Sequence, residues 1–183
     1  MAHIDLQNEA PGILGLMAFR PEAARALNNL AETVLRGPST MSQGDRELIA
    51  GCVSYWNDCD FCHRSHAAVA EFCLDKELGY TEKIAKDIQS APITPKMKAL
   101  LKLAQKVQKS GRDVSKIDVT LAKETGATDI EIHDCILIAA MFCMFNRYVD
   151  GHGTFAPEKN APYYTQTGKR LAVDGYSAPK PQK

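Results

Sequence analysis

Residues 42–66 read SQGDRELIAGCVSYWNDCDFCHRSH, and how this stretch folds decides the rest of the chain. Ser42 followed three residues later by Asp45 is a capping-box-like helix start. RELIAGCVSYW then spaces its apolar residues with the period of a helix rather than the alternation of a strand. Asn57-Asp58 interrupts that pattern, and both residue types favour helix N-cap positions. A second helix is therefore expected from about residue 59 through residue 78, ended by Gly79. The stretch predicts two helices meeting at a polar break, with Cys59 and Cys62 in the first turn of the second.

Outward from this pair, the other periodic segments are helical as well. Pro21 suits a first helical position, and PEAARALNNLAETVLR runs from it to the stop at Gly37-Pro38. Thr81 opens a short helix to about Gln89. Thr94-Pro95 supplies an N-cap and an N1 proline for KMKALLKLAQKVQKS, and a further helix over 114–125 is closed by Gly126. Thr128-Asp-Ile-Glu131 is a capping box opening the most apolar segment, IHDCILIAAMFCMFNRYVD, which ends at Gly151. Its surplus of Met, Phe and Ile suits either a central core helix or an oligomer interface. No alternating run with a hairpin turn is present. The expected fold is all-α, a compact helical domain of about seven helices over residues 1–156. A C-terminal extension over 157–183 is expected to be helical around 163–172 and frayed at SAPKPQK. Residues 42–66 and 128–152 share an outline of cap, apolar helix and polar stretch ending in histidine, which leaves two related helical halves open as a reading.

The chain has 183 residues, enough to bury a core without metal or disulfide staples. Its 22 Lys and Arg equal its 22 Asp and Glu, a balance that argues against a nucleic-acid face or an anionic membrane surface as partner. The N-terminal MAHIDLQNEAPGILGLMAF lacks a basic region leading into a hydrophobic one, and no apolar run approaches the roughly 20 residues of a membrane span. A cytoplasmic location is expected. Cysteines in a reducing compartment are seldom structural disulfides. Cys52, Cys73, Cys135 and Cys143 fall within apolar helical patterns and read as small buried hydrophobes. Cys59 and Cys62 stand among polar residues and histidines.

The octapeptide CDFCHRSH, residues 59–66, fits three chemistries: a C-x-x-C redox pair, the C-x-x-C-H attachment sequence of c-type haem, and a cysteine–histidine zinc site. Four ligands on two turns of one helix cannot surround an ion, so zinc would have to borrow His133 or His152. Covalent haem attachment goes with export, for which no signal is visible. On a helix, Cys59, Cys62 and His66 fall within about 60° of one another, and His63 lies about 100° round from Cys62. A thiol in the first turn meets unpaired N–H groups that favour the thiolate. His66, one turn after Cys62, suits proton exchange with it. A purely structural cysteine pair with solvated histidines is the alternative. Glu47 would lie about 18 Å from Cys59 in one continuous helix. A chain reversal at Asn57-Asp58 instead returns it toward His66, where a carboxylate would orient the imidazole and raise its basicity. Otherwise Glu47 is an exposed first-turn acid.

At these residues the chain resembles the alkylhydroperoxidase D and carboxymuconolactone decarboxylase superfamily, and more closely its peroxidase-related branch. The pattern of glutamate, eleven residues, C-x-x-C, three residues and histidine is met by Glu47, Cys59, Cys62 and His66. GILGLMAFRPE (12–22), LRGPSTMSQGDRELIA (35–50) and NRYVDGHG (146–153) resemble flanking segments of that branch. The resemblance implies an all-helical homo-oligomer without metal or haem. It also implies Cys62 as the peroxidatic thiol, Cys59 as its resolving partner, and Glu47 and His66 as proton relay. The implied substrate is a hydroperoxide, and the implied reductant is a dithiol such as a lipoyl protein. Phe61 stands where the characterised enzyme has a further histidine; it relays no proton, and His63 is the nearest replacement. The decarboxylase branch lacks the dithiol. The rival readings are a redox-sensing oligomer that does not turn over and a metal- or haem-binding protein.

Overall fold

Ser42 caps the helix that organises the molecule: its hydroxyl accepts the Asp45 N–H at 3.1 Å, and the helix runs Gln43–Trp56. A computed structural model describes residues 2–176, and among them there are nine α-helices and no strand. They are α1 (Ile13–Phe19), α2 (Pro21–Arg36), α3 (Gln43–Trp56), α4 (Asp60–Cys73), α5 (Tyr80–Lys86), α6 (Pro95–Lys109), α7 (Lys116–Glu124), α8 (Asp129–Gly151) and α9 (Pro162–Asp174). A 3-10 turn, Gly111–Asp113, joins α6 to α7. The all-α expectation holds, with more helices than the seven expected because Ile13–Phe19 folds into one and the C-terminal extension carries a full-length one. The expectation that SAPKPQK is frayed falls on residues outside the described ones.

The α3–α4 hairpin is the centre of the fold. The two helices run antiparallel, with Gly44 opposite Cys73 and Leu74, and Gly51 opposite Ala67. A Cβ on Gly51 would lie 2.9 Å from Thr81 and 3.3 Å from the Ala67 backbone nitrogen, so glycine is what lets α3 approach α4 this closely. Gly168 does the same for α9, where a Cβ would meet the Ala68 backbone at 2.8 Å. α4 is thus held between α3 and α9 with little side-chain padding.

Helix α4 stops at Cys73, short of the expected Leu78. Asp75 turns the chain with φ 53, and the Glu71 carboxylate accepts the Thr81 N–H at 3.0 Å, folding α5 back onto α4. Leu78 is 72% exposed, so no burial was available to extend the helix.

On the other side of α3 lie α6 and α8. Lys96 pairs with Glu131, the Cys135 thiol donates to the Leu100 carbonyl, and the Cys143 thiol donates to that of Gln108. All three pairs are separated by 35 residues, so the two helices run parallel in constant register. Leu35, Leu48, Ile49, Val53, Leu100, Leu101, Ile138 and Phe142 fill the space between them. Truncating one such side chain to alanine costs about 2–5 kcal/mol. Of the four cysteines expected to be buried, Cys52 and Cys135 are; Cys73 and Cys143 are partly exposed.

Helix α8 is long and apolar enough to cross a membrane by length and composition, and half of its most apolar window is buried inside this fold. It serves as the core helix, with Ile130, Leu137 and Met144 left on its outer face.

Candidate active site

The hairpin turn sets the site. Asp58 adopts a left-handed backbone, φ 58, and the Cys59 N–H donates to the Ser54 carbonyl at 3.0 Å. Cys59 itself is the N-cap of α4, one residue later than the Asn57-Asp58 cap expected. Asn57 closes α3 instead, and its side-chain amide is engaged elsewhere: it donates to Asn146 at 2.8 Å and accepts from Gln108 at 2.9 Å. Asn146 in turn donates to Ser54 at 3.1 Å. This partly buried polar chain clamps the turn to α6 and α8. Asn146 had no signal in the sequence beyond its place in NRYVDGHG.

Cys62 consequently sits at the third position of α4, where unpaired N–H groups favour negative charge. Both thiols are free and buried, at 1% exposure for Cys59 and 3% for Cys62, in a small cluster with Phe61 and Val149. The Cys59 thiol neighbours Cys62 and Asp150. The neighbouring Cys62, then burial, push Cys59 far above the usual thiol range. Cys59 therefore keeps its proton.

Glu47 is fully buried, which corrects the alternative of an exposed first-turn acid. Its Oε2 accepts from His66 Nδ1 at 2.7 Å. Its Oε1 accepts from Arg36 Nη2 at 2.7 Å and from the Tyr176 hydroxyl at 2.6 Å. Burial pushes the Glu47 carboxyl up, but His66, Arg36 and Tyr176 together outweigh it and hold the group below its ordinary value. Nδ1 carries the proton that faces the carboxylate, which leaves Nε2 as the basic nitrogen. The imidazole is held edge-on to Phe142 at 4.5 Å and stacked on Tyr176 at 5.9 Å.

The hairpin thus brings Glu47 to His66, one turn of α4 from Cys62, and brings the two cysteines together. Tyr176 had no sequence signal, and Arg36 had none beyond its place in LRGPSTMSQGDRELIA. Arg36 reads as an ordinary cation at a helix C-terminus, and Tyr176 reaches Glu47 across 129 residues.

His63 is buried, its Nδ1–H donating to the Gly51 carbonyl at 2.9 Å, and burial pushes its imidazole down. The alternative of solvated histidines is corrected for both His63 and His66. His63 and Cys59 line a polar cleft of about 410 Å³ with Asp58, Arg64, Glu82 and Lys159. Phe61 packs against Tyr163 and lines a second, more apolar cavity of about 190 Å³ with Ser65, His66, Phe145 and Tyr176. Cys59 thus lines the polar opening and His66 the apolar one.

Among the described residues no group of three or more His, Cys, Asp or Glu side chains is placed to hold a metal ion. His133 pairs with Asp134 on the surface, and His152 bonds the Tyr148 carbonyl, so neither is lent to CDFCHRSH.

Residues 21–71, which span α2, α3 and most of α4, match the carboxymuconolactone decarboxylase family. A comparison with curated proteins found no match. Among solved structures, the chain is similar to an uncharacterized peroxidase-related protein from Silicibacter sp. TM1040, with 25% identity and a TM-score of 0.75 over 86% of this chain and 80% of that one. It is also similar to an uncharacterized peroxidase-related protein with an alkylhydroperoxidase AhpD core from Ralstonia eutropha JMP134. There the identity is 25% and the TM-score 0.76, over 87% of this chain and 82% of that one.

Proposed function

Starting from a chain with a carboxymuconolactone decarboxylase family segment and an alkylhydroperoxidase D-like fold, we propose that it is a thiol-dependent hydroperoxidase. The observation that carries this reading is the 2.7 Å bond from His66 Nδ1 to a buried Glu47, one helical turn from a buried cysteine pair at the start of α4. A base held in one tautomer beside a first-turn thiol is the arrangement nucleophilic catalysis needs.

His66 Nε2 takes the Cys62 proton. The thiolate attacks the distal peroxide oxygen, the O–O bond breaks, and the departing alkoxide leaves as alcohol or water with the proton from His66. Cys62 is then a sulfenic acid. The Cys59 sulfur attacks it, water departs, and a Cys59–Cys62 disulfide remains. An external dithiol, such as a dihydrolipoyl protein, returns both cysteines to thiols and leaves as its own disulfide. A cytoplasmic, homo-oligomeric protein suits this cycle, with the outer face of α8 as one contact surface. Phe61 takes no part in proton transfer. Lactone decarboxylation is not part of the proposal, because the dithiol would have no task in it.

The test is hydroperoxide consumption with a dihydrolipoyl donor. Cys62→Ser is expected to abolish it, and Cys59→Ser to stop after one oxidation, leaving a dimedone-reactive sulfenic acid at Cys62. Consumption by Cys62→Ser at the parental rate would refute the mechanism. A dithiol that oxidises once and is not recycled would point to a redox sensor instead.

A further inference from the structure

Tyr176 has no task in that cycle, yet the chain goes to some trouble to place it. Gly175 takes φ 76, a left-handed conformation that glycine adopts without strain. A Cβ there would lie 2.5 Å from Glu32 Oε2, the same atom that accepts the Tyr176 N–H at 2.6 Å. This backbone clamp after α9 turns the Tyr176 ring inward. The Arg36 guanidinium lies 4.9 Å from the ring centroid, and His66 stacks on the ring. The hydroxyl donates to Glu47 Oε1 at 2.6 Å and lies 3.2 Å from His66 Nδ1. Burial and the Glu47 charge push the phenol well above its ordinary range, so it stays a donor.

Glu47 meets charged or titratable groups from each side. Arg36 approaches from α2, His66 and, farther along, Cys73 from α4, and Tyr176 from the segment after α9. Arg46 neighbours it on α3, and α8 offers the Phe142 ring against His66. Donors on Oε1 draw charge away from Oε2, the oxygen that holds the His66 proton.

We propose that Tyr176 is a positioning residue of the relay, its hydroxyl limiting how strongly Glu47 holds a protonated His66 and so keeping His66 available as the neutral base that takes the Cys62 proton. The C-terminal Gly175-Tyr176 clamp is thereby a working part of the site. The inference rests on the thiol-relay reading above.

Tyr176→Phe keeps the ring, the stacking and the guanidinium contact, and removes only the hydroxyl. Charge returns to Oε2, the imidazolium is favoured, and the neutral base is reached only at higher pH. The readout is the rate of Cys62 alkylation by iodoacetamide against pH, measured on the Cys62 peptide by mass spectrometry. On its acid limb Tyr176→Phe is expected to be roughly threefold slower than the parent, with the high-pH plateau kept. Gly175→Ala, which displaces the clamp, is expected to move the limb the same way. A limb that stays in place or moves down in either variant overturns the proposal. Alkylation requires no turnover. A protein that shows the shift but consumes no hydroperoxide therefore counts against the peroxidase reading and not against the role of Tyr176.

Discussion

Residues 42–66 and 128–152 open with the same physical devices, a hydroxyl cap leading into an apolar helix with a buried glutamate, yet only the first builds a candidate site. After Thr128 the backbone runs straight through the 23 residues of α8. Glu131 completes the capping box with the Thr128 N–H at 2.8 Å and pairs with Lys96, whose side chain is 37% exposed. After Ser42 the backbone breaks at Asp58 and doubles back. Glu47 then faces Arg36, whose side chain is only 6% exposed, together with His66 and Tyr176. The shared outline does not extend to the path of the chain, which breaks in the first stretch and runs on in the second. A buried carboxylate near a helix start is structural when its partners are a cap and a surface lysine. It becomes chemical when a chain reversal brings titratable partners to it.

The largest expected difference is between Glu47→Gln and Glu131→Gln. The first leaves Arg36 buried without its counter-charge and His66 without its anchor. A loss of about 3–5 kcal/mol in urea denaturation is expected, with roughly a hundredfold fall in hydroperoxide consumption. The second weakens a cap and a half-exposed pair, at about 1 kcal/mol, and leaves consumption unchanged. Equal losses in the two variants would erase the distinction between the regions.

The next effect concerns the clamp on the break. Asn146→Leu removes the acceptor of the Asn57 amide and the donor to Ser54, and a cost of about 2 kcal/mol is expected. Consumption should fall with it if the turn is what aligns the site. Full activity in a destabilised Asn146→Leu protein would separate the turn from the chemistry.

Acid stability sharpens the comparison further. Both carboxyls are held below their ordinary value of 4.5, Glu47 against its burial by His66 and Arg36, and Glu131 against its burial by Lys96 and the Thr128 cap. A depressed carboxyl contributes stability that is complete above its ordinary value and is lost as the pH falls below it. Removing Glu47 should flatten the stability curve below about pH 4.5 more than removing Glu131 does. The smallest effect is local to the turn: Asp58→Ala should cost about 1 kcal/mol because of its positive φ, while Asp58→Gly should be near neutral.

Glu47, Cys59, Cys62 and His66 were legible because their spacing on two joined helices is local information, and one polar break was enough to suggest the reversal. The partners that complete the environment were not. Arg36, Asn146 and Tyr176 arrive from separate elements, and nothing in their neighbourhoods distinguishes them from surface or core residues of the same type. Helix starts read well where a hydroxyl cap stands, as at Ser42, Thr94 and Thr128. The end of α4 did not, because it is made by Glu71 reaching Thr81 ten residues on. His63 was misplaced for a similar reason: its partner is the Gly51 carbonyl on the facing helix.

The central claim is that the hairpin makes the Cys59–Cys62 pair the reactive one among six cysteines. It is tested most directly by giving the reduced protein one equivalent of hydroperoxide and mapping every cysteine by mass spectrometry. The two thiols at 1% and 3% exposure should be joined to each other, with Cys52, Cys135 and the more accessible Cys73 and Cys143 still reduced. Oxidation at Cys73 or Cys143 with Cys59 and Cys62 left as thiols would contradict it.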